Sequence, residues 1–502
     1  MKEENRQLKF GALISYLAIF INTTTALIYL PWMARKIGQS NYALYNLAYS
    51  FLQIFLSDFG LSASAARFLA KYRAEHQEQK SSVLLSMITR LNAFIDLIFA
   101  AILIILYFFL DQIYKGLTPA ELAAFRPLFL IMAGYSILSF PFQLLNGILQ
   151  AYEKFIQLKL CDLGQKLLTV IMIVTALLNG GDVTAVMLAN VISGVLFIMI
   201  KVIIVHRETV IRINLRLKDP ELLKSIMSFT AWTAITLLAQ RFIFSLAPSI
   251  LGIVSDSTQI AIFSPANALE GYFYMFAAAV NGLFLARISR YIADRREDRI
   301  YSLMVTVGRY QLAFMGMIFI GFFCIGKEFM TVWMGPEYES SALCAFLVFI
   351  PDLLLFTEEI ADETLIAKNL VKQRAFANIG MTLLCTGLSF PLSSFFGAAG
   401  ACMAIAISYL FTFICMNIVY SRELHLDIPK FFRECYGSFL VPYLLIILIS
   451  SLILPHVPFG GWKGLVLKGL IVVVIYLILI WNLALKKEEK RMVRKIFFRR
   501  SK

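Results

Sequence analysis

Apolar residues in this chain neither alternate nor keep to one face; they come in long runs separated by short polar breaks, from Phe10 almost to Leu485. A helix needs about 20 mostly apolar residues to cross about 30 Å of hydrocarbon, so each run predicts a membrane span. The pattern places spans at residues 10–31, 41–64, 83–110, 126–148, 155–179, 183–205, 225–250, 259–285, 303–325, 341–366, 374–395, 398–420, 437–455 and 464–485. Pro31 is read as the end of the first helix. Pro141, Pro265, Pro351 and Pro442 are read as interruptions that free backbone carbonyls inside later ones. The expected fold class is an all-α polytopic membrane protein of about fourteen transmembrane helices.

Composition agrees, with 59% of the 502 residues hydrophobic and 16% charged, against about 45–50% and about 25% in soluble domains. No segment is left over for a soluble domain. The first run follows Lys2, Arg6 and Lys9 and passes Leu30 without a small-residue cleavage pattern, so a retained helix is expected rather than a signal peptide. The seven cysteines are odd in number, and six fall inside predicted helices. Neither a disulfide framework nor a metal cluster is indicated, and no cofactor is expected.

The net charge of +14 would suggest nucleic acid in a soluble protein, but its placement gives a better account. With the N-terminus inside, roughly 34 Lys and Arg fall in the tails and even-numbered connections, against roughly seven on the other side. The inside set includes Arg67, Lys71, Arg73 and Lys80, then Arg207 to Lys224, Arg287 to Arg299, and the tail from Lys486. Arg35 and Lys36 are the main exception. Both termini are therefore expected in the cytoplasm, with the basic tail held at anionic lipids of the inner membrane, each charge contributing about 1 kcal/mol. Nucleic acid is not an expected partner.

Sliding the sequence on itself by about 218 residues brings the first six predicted helices onto the next six. Pro31 falls within a residue of Pro248, the run Asn22 to Thr25 meets Gln240 and Arg241, and Ala43, Tyr45 and Ala48 meet Ala261, Phe263 and Ala266. Lys154 falls on Lys372, and the Asn179, Gly180, Gly181 turn falls on Gly397, Ala398, Ala399. An even number of helices per repeat makes both halves enter the membrane from the same side, giving two lobes around a central cavity. The expected division is residues 1–218 (helices 1 to 6), 219–432 (helices 7 to 12), and 433–502 (helices 13 and 14 with the tail).

The stretches ARKIGQSNYALYNLAYSF from Ala34, DFGLSASAARFLAKYRAEHQEQ from Asp58 and KDPELLKSIMSFTAW from Lys218 carry a family likeness. The chain resembles the multidrug/oligosaccharidyl-lipid/polysaccharide flippase superfamily, and within it the Wzx-type polysaccharide repeat-unit branch. The resemblance implies a V-shaped pair of lobes that alternately expose a cavity, carrying an undecaprenyl-pyrophosphate-linked oligosaccharide from cytoplasm to periplasm. It implies a polysaccharide polymerase and glycosyltransferases as neighbours in the same process. The drug and cation branch often has an acidic residue in helix 1, where this chain has Asn22 and neutral threonines.

Ionisable residues inside spans are costly in lipid and usually face a cavity or a partner. Arg241 and Glu270 lie at a shared depth in helices 7 and 8, and Arg241 offers the bidentate donors that suit a pyrophosphate or an acidic sugar. With Asn22 and Gln240 they form the expected substrate cavity; a fixed Arg241–Glu270 pair joining two helices is the alternative. Asp58 and Arg90 lie at matching depths and read as a structural pair, as do Asp162 and Lys166 at i, i+4. Asp96, deep in helix 3 without an obvious partner, and Asp352, in the middle of helix 10, are the candidates for ion coupling. Glu358, Glu359, Asp362 and Glu363 read as gate or surface residues near Arg309, Lys368 and Lys372. Tyr42, Tyr45 and Tyr49 can stack on sugars.

A glycan head with several hydroxyls cannot cross hydrocarbon unaided, since each unpartnered hydroxyl costs roughly 2 to 7 kcal/mol. No GxxxxGK[ST] motif is present, so nucleotide hydrolysis in this chain is not the energy source. A lipid-linked glycan flippase is the leading expectation, and a cation-coupled drug or metabolite antiporter of the same fold the second. A membrane enzyme of glycan assembly is disfavoured, because His76, His206, His425 and His456 all fall in connections or near surfaces.

Overall fold

A computed structural model of the chain describes residues 21, 23–55, 59–209, 242–278, 284–368 and 370–491. These residues are helical throughout, with no strand among them. Nine helices among them are long and apolar enough to cross a membrane. Their exposure is the inverse of a soluble protein's: on Ile428–Ile453 the outward face carries Leu440, Leu444, Leu448 and Leu452 at one-turn spacing, all highly exposed. Such a stripe suits lipid, because a soluble surface rarely presents contiguous apolar area of that size.

Among the described residues the helices follow the apolar runs, with some differences. Much of the spans expected at 10–31 and 225–250 lies outside those residues, and the span expected at 341–366 is broken at Glu358 into Ser341–Thr357 and Glu359–Ala367. Helix 1 continues through Pro31 to residue 37 rather than stopping there. Proline's φ fits a helix, and the backbone group it frees can be satisfied by neighbours in a membrane bundle. Of the other four prolines only Pro141 breaks its α-helix, in the 3-10 turn Phe140–Gln143 that joins Pro119–Ser139 to Leu144–Ala151. Two basic connections contain short helices, Leu61–Ala74 and Leu285–Ala293. The first buries Leu61, Ala65 and Leu69 against Leu84, Ile88, Leu144 and Ile148, leaving Arg67 and Lys71 exposed.

The chain divides into two compact units. Residues up to Ser264, with Thr382–Ala401, form the first. In it Phe155–Leu178 packs along Val183–Glu208, and Gln39–Phe55 along Pro119–Ser139. The second comprises Pro265–Met381 and Cys402–Lys502. It is built around the 36-residue helix Asp298–Trp333, against which Ser341–Thr357, Ile428–Ile453 and Gly461–Leu479 all pack.

Near each of the two turns that the repeat register aligns lies a glycine with positive φ. Gly180, at φ 81°, turns the chain between Phe155–Leu178 and Val183–Glu208. Gly397, at φ 57° and ψ −132°, is the one non-helical residue inside Val371–Glu423 and splits it where two spans were expected. Left-handed φ is open to glycine at little steric cost, which explains why both turns carry one. Ala43, Tyr45 and Ala48 are buried, and so are Ala261, Phe263 and Ala266.

Candidate functional site

Two carboxyls come together in the interior of the second unit. Phe273, one turn after Glu270, stacks on Phe349, one turn before Asp352, with centroids 4.5 Å and planes 18° apart. Phe356 approaches the Phe273 ring from the other side of Asp352, at 6.5 Å. This aromatic seam joins Ser257–Ala278, which carries Glu270, to Ser341–Thr357, which carries Asp352. Glu270 and Asp352 are 6% and 3% exposed. Oδ2 of Asp352 has no hydrogen-bond partner among the described residues. Buried carboxyls inside a span are costly without a partner, so these two are candidates for binding a proton or a cation.

Further along the same path the acidic run finds partners other than those expected. Asn417 donates to Glu358 at 3.1 Å, Arg374 pairs with Asp362 at 3.2 Å, and Lys368 pairs with Glu297 at 2.6 Å. Arg309 is not part of this cluster. It is 1% exposed and turned toward Ile428–Ile453, where its Nε and Nη2 donate to Glu489 at 2.6 and 2.9 Å. Nη1 donates to the Glu434 carbonyl at 3.1 Å and Ser438 Oγ at 2.7 Å, and Nη2 also to the Ala484 carbonyl at 2.8 Å. All five guanidinium donors are thus engaged, with the Phe439 ring 5.2 Å away. Burial alone would raise the Glu489 carboxyl, but the Arg309 bonds and the Lys486 N–H, which donates at 2.7 Å, hold it below the ordinary carboxylate range.

In the first unit Asp162 pairs with Lys201 at 3.0 Å rather than with Lys166. Lys201 also donates to Asn146 at 3.0 Å, so one ammonium joins three helical segments. An i, i+4 pair lies on an open helix surface, whereas Lys201 is largely buried and reaches Asp162 from the adjoining helix. Asp96 is half-buried on Glu78–Phe108, and its Oδ1 lacks a partner among the described residues. Tyr42 is enclosed in the core, while Tyr45 stacks on Tyr49 at 5.9 Å and receives a bond from Asn190 at 3.5 Å. Asn22, Asp58, Gln240 and Arg241 lie outside the described residues, so the expected pairings of Arg90 with Asp58 and of Glu270 with Arg241 do as well.

A family model described as "Polysaccharide biosynthesis protein" matches residues 8–284, more than half of the sequence. The chain belongs to this polysaccharide biosynthesis family. No curated protein matches the sequence. Among solved structures, the lipid II flippase MurJ in an inward closed conformation is similar at a TM-score of 0.72 and 14% identity, over 98% of this chain and 99% of that one. An inward-facing multidrug resistance transporter of the MATE family gives 0.65 at 13% identity, over 82% of this chain and 98% of its own. A MOP superfamily transporter from Pyrococcus furiosus gives 0.58 at 13% identity, over 83% and 95%. These likenesses establish a shared fold, and this family member is a multi-pass membrane protein with it.

Sequence reasoning missed Lys201, the Arg309–Glu489 pair and Glu121, which is treated below. Lys201 was detectable as a lysine inside an apolar run; the partner of Arg309 was not, being 180 residues away.

Proposed function

We propose that the protein is a flippase that moves an undecaprenyl-pyrophosphate-linked oligosaccharide from the cytoplasmic to the outer leaflet by alternating access, without catalysing a covalent step. The observation that carries this reading is coverage. The MATE-family structure takes in nearly all of itself but 82% of this chain, whereas the lipid II flippase spans 98% of it. The part of the chain left over is about the length of helices 13 and 14, so the longer, lipid-carrying architecture is the better analogue. Membership of a polysaccharide biosynthesis family supports a glycan cargo over a drug.

In this reading residues 1–218 and 219–432 form two lobes, 433–502 add two helices, and both termini are cytoplasmic in the inner membrane. Arg241, Gln240, Asn22 and Glu270 line the cargo path, with Arg241 meeting the pyrophosphate. Polymerase and glycosyltransferases act after and before it. A pyrophosphate head carries about two negative charges, and moving each outward releases about 2.3 kcal/mol per 100 mV, so the membrane potential can drive the step.

The buried carboxyls Glu270 and Asp352 favour a second reading, cation-coupled export, with Asp352 or Asp96 as the coupling carboxylate. Proteoliposomes loaded with lipid-linked oligosaccharide separate the two. With the potential clamped by potassium and valinomycin and no ion gradient, flipping is expected to follow the potential. Flipping that stays at the protein-free level until a proton or sodium gradient is imposed, and that Asp352→Asn or Asp96→Asn removes, would replace potential-driven transport with antiport.

A further inference from the structure

One carboxylate joins equivalent points of the two sequence repeats. Glu121 closes a capping box at the start of Pro119–Ser139, its Oε2 accepting from the Thr118 N–H and hydroxyl, both at 2.9 Å. Its Oε1 accepts from Ser40 at 2.8 Å and also from Ser257. Ser40 lies in the first turn of Gln39–Phe55 and Ser257 begins Ser257–Ala278. Their separation is within a residue of the repeat register of about 218, so they are the same position in the two repeats.

Beside this carboxylate the backbones touch. The Gly116 N–H donates to the Gly252 carbonyl at 3.1 Å. A Cβ on Gly116 would stand 2.0 Å from the Ser255 carbonyl oxygen and 2.9 Å from that of Gly252. Only glycine fits the contact as it stands. Gly116 belongs to the connection between the third and fourth predicted helices, and 252–255 to the connection between the seventh and eighth. All of these residues lie in the first unit, at the end that the basic-residue count assigns to the outside.

We propose that this seam is the outer gate of the transport path: Glu121 and Gly116 hold the first repeat to the second, and the bonds to Ser257 and Gly252 break when cargo leaves. The proposal rests on the alternating-access reading above. The chemistry suits a contact that opens. Three of the four groups donating to Glu121 belong to its own repeat, so losing Ser257 leaves no unsatisfied carboxylate. The bonds that cross the seam are ones that water can replace at little net cost, while beside them the buried Tyr114 ring packs on Gly252. Glu121 is half-buried and Ser40 exposed, so water is already at hand.

Paired thiols test the gate. Ser40→Cys with Ser257→Cys, in a background whose seven native cysteines are replaced and which still flips lipid-linked oligosaccharide, is bridged in proteoliposomes by a short reducible bis-thiol reagent. Flipping is expected to fall at least tenfold on bridging and to return on reduction, while either single cysteine treated alike keeps its rate. Bridged protein that flips at the unbridged rate overturns the gate. A second readout needs no cargo. Hydrogen exchange of segments 114–121 and 252–259 is expected to quicken severalfold in Glu121→Gln, and unchanged exchange also overturns it. If exchange quickens but the unbridged protein never flips the glycan lipid, the cargo assignment fails and the gate stands.

Discussion

Glu489 grips Arg309 through both carboxylate oxygens, at 2.6 and 2.9 Å, although the two residues are 180 positions apart. The bond joins the short helical segment at 487–491 to the central helix of the second unit. Breaking one partner of a buried pair leaves the other charge uncompensated, which costs about 3–5 kcal/mol. Arg309→Ala and Glu489→Ala are therefore each expected to lower the unfolding midpoint in detergent strongly. An apolar pair, Arg309→Met with Glu489→Leu, is expected to recover much of the loss. Single variants as stable as wild type would show that the pair anchors nothing.

The same carboxyl gives a pH signature. Because the folded-state pKa of Glu489 is depressed, its contribution is fully present above the unfolded carboxylate value of about 4.3 and is lost as pH falls through the folded value. Thermal unfolding followed downward from pH 6 is expected to show an acid limb that Glu489→Gln flattens.

The partner of Asp162 is testable by a double-mutant cycle on stability. Coupling between Asp162→Asn and Lys201→Met is expected to lie within about 0.5–3 kcal/mol, and that between Asp162→Asn and Lys166→Met near zero. The reverse order would restore the pairing within one helix.

For the proposed cargo, Arg241→Ala is expected to reduce flipping more than Arg241→Lys, at equal protein level in the membrane, because a single ammonium keeps the charge but loses the bidentate fork. Equal rates for the alanine variant and wild type would remove Arg241 from the path.

Reporter fusions after residue 220 and at the C-terminus are both expected to report cytoplasm, since basic residues cluster there. A periplasmic signal at either point breaks the assigned topology.

The helices were legible because lipid imposes a length and a composition on each of them. The turns at Gly180 and Gly397 were legible because left-handed backbone favours glycine. Leu61–Ala74 was read as a basic connection because its fully buried apolar residues are Leu61, Ala65 and Leu69, too short a stripe to stand out among charges. Spacing pointed Asp162 at Lys166, since a sequence displays neighbours along one helix and hides those across two. Asp352 was singled out, but Phe273 and Phe349, which join its helix to that of Glu270, resembled any other aromatic residues of a lipid-facing chain.

The distance in sequence between Arg309 and Glu489 also fixes an order of events during synthesis. At about 5–20 residues per second, the ribosome needs roughly 10 to 40 s after reaching Arg309 to supply its carboxylate. Until then the guanidinium, destined for a 1% exposed position, has no acidic counterpart from that segment and must stay at the aqueous surface. The central helix of the second unit therefore reaches its final seat last, after the final helix has left the translocon, and a chain truncated before residue 489 would present quality control with an arginine that cannot be buried.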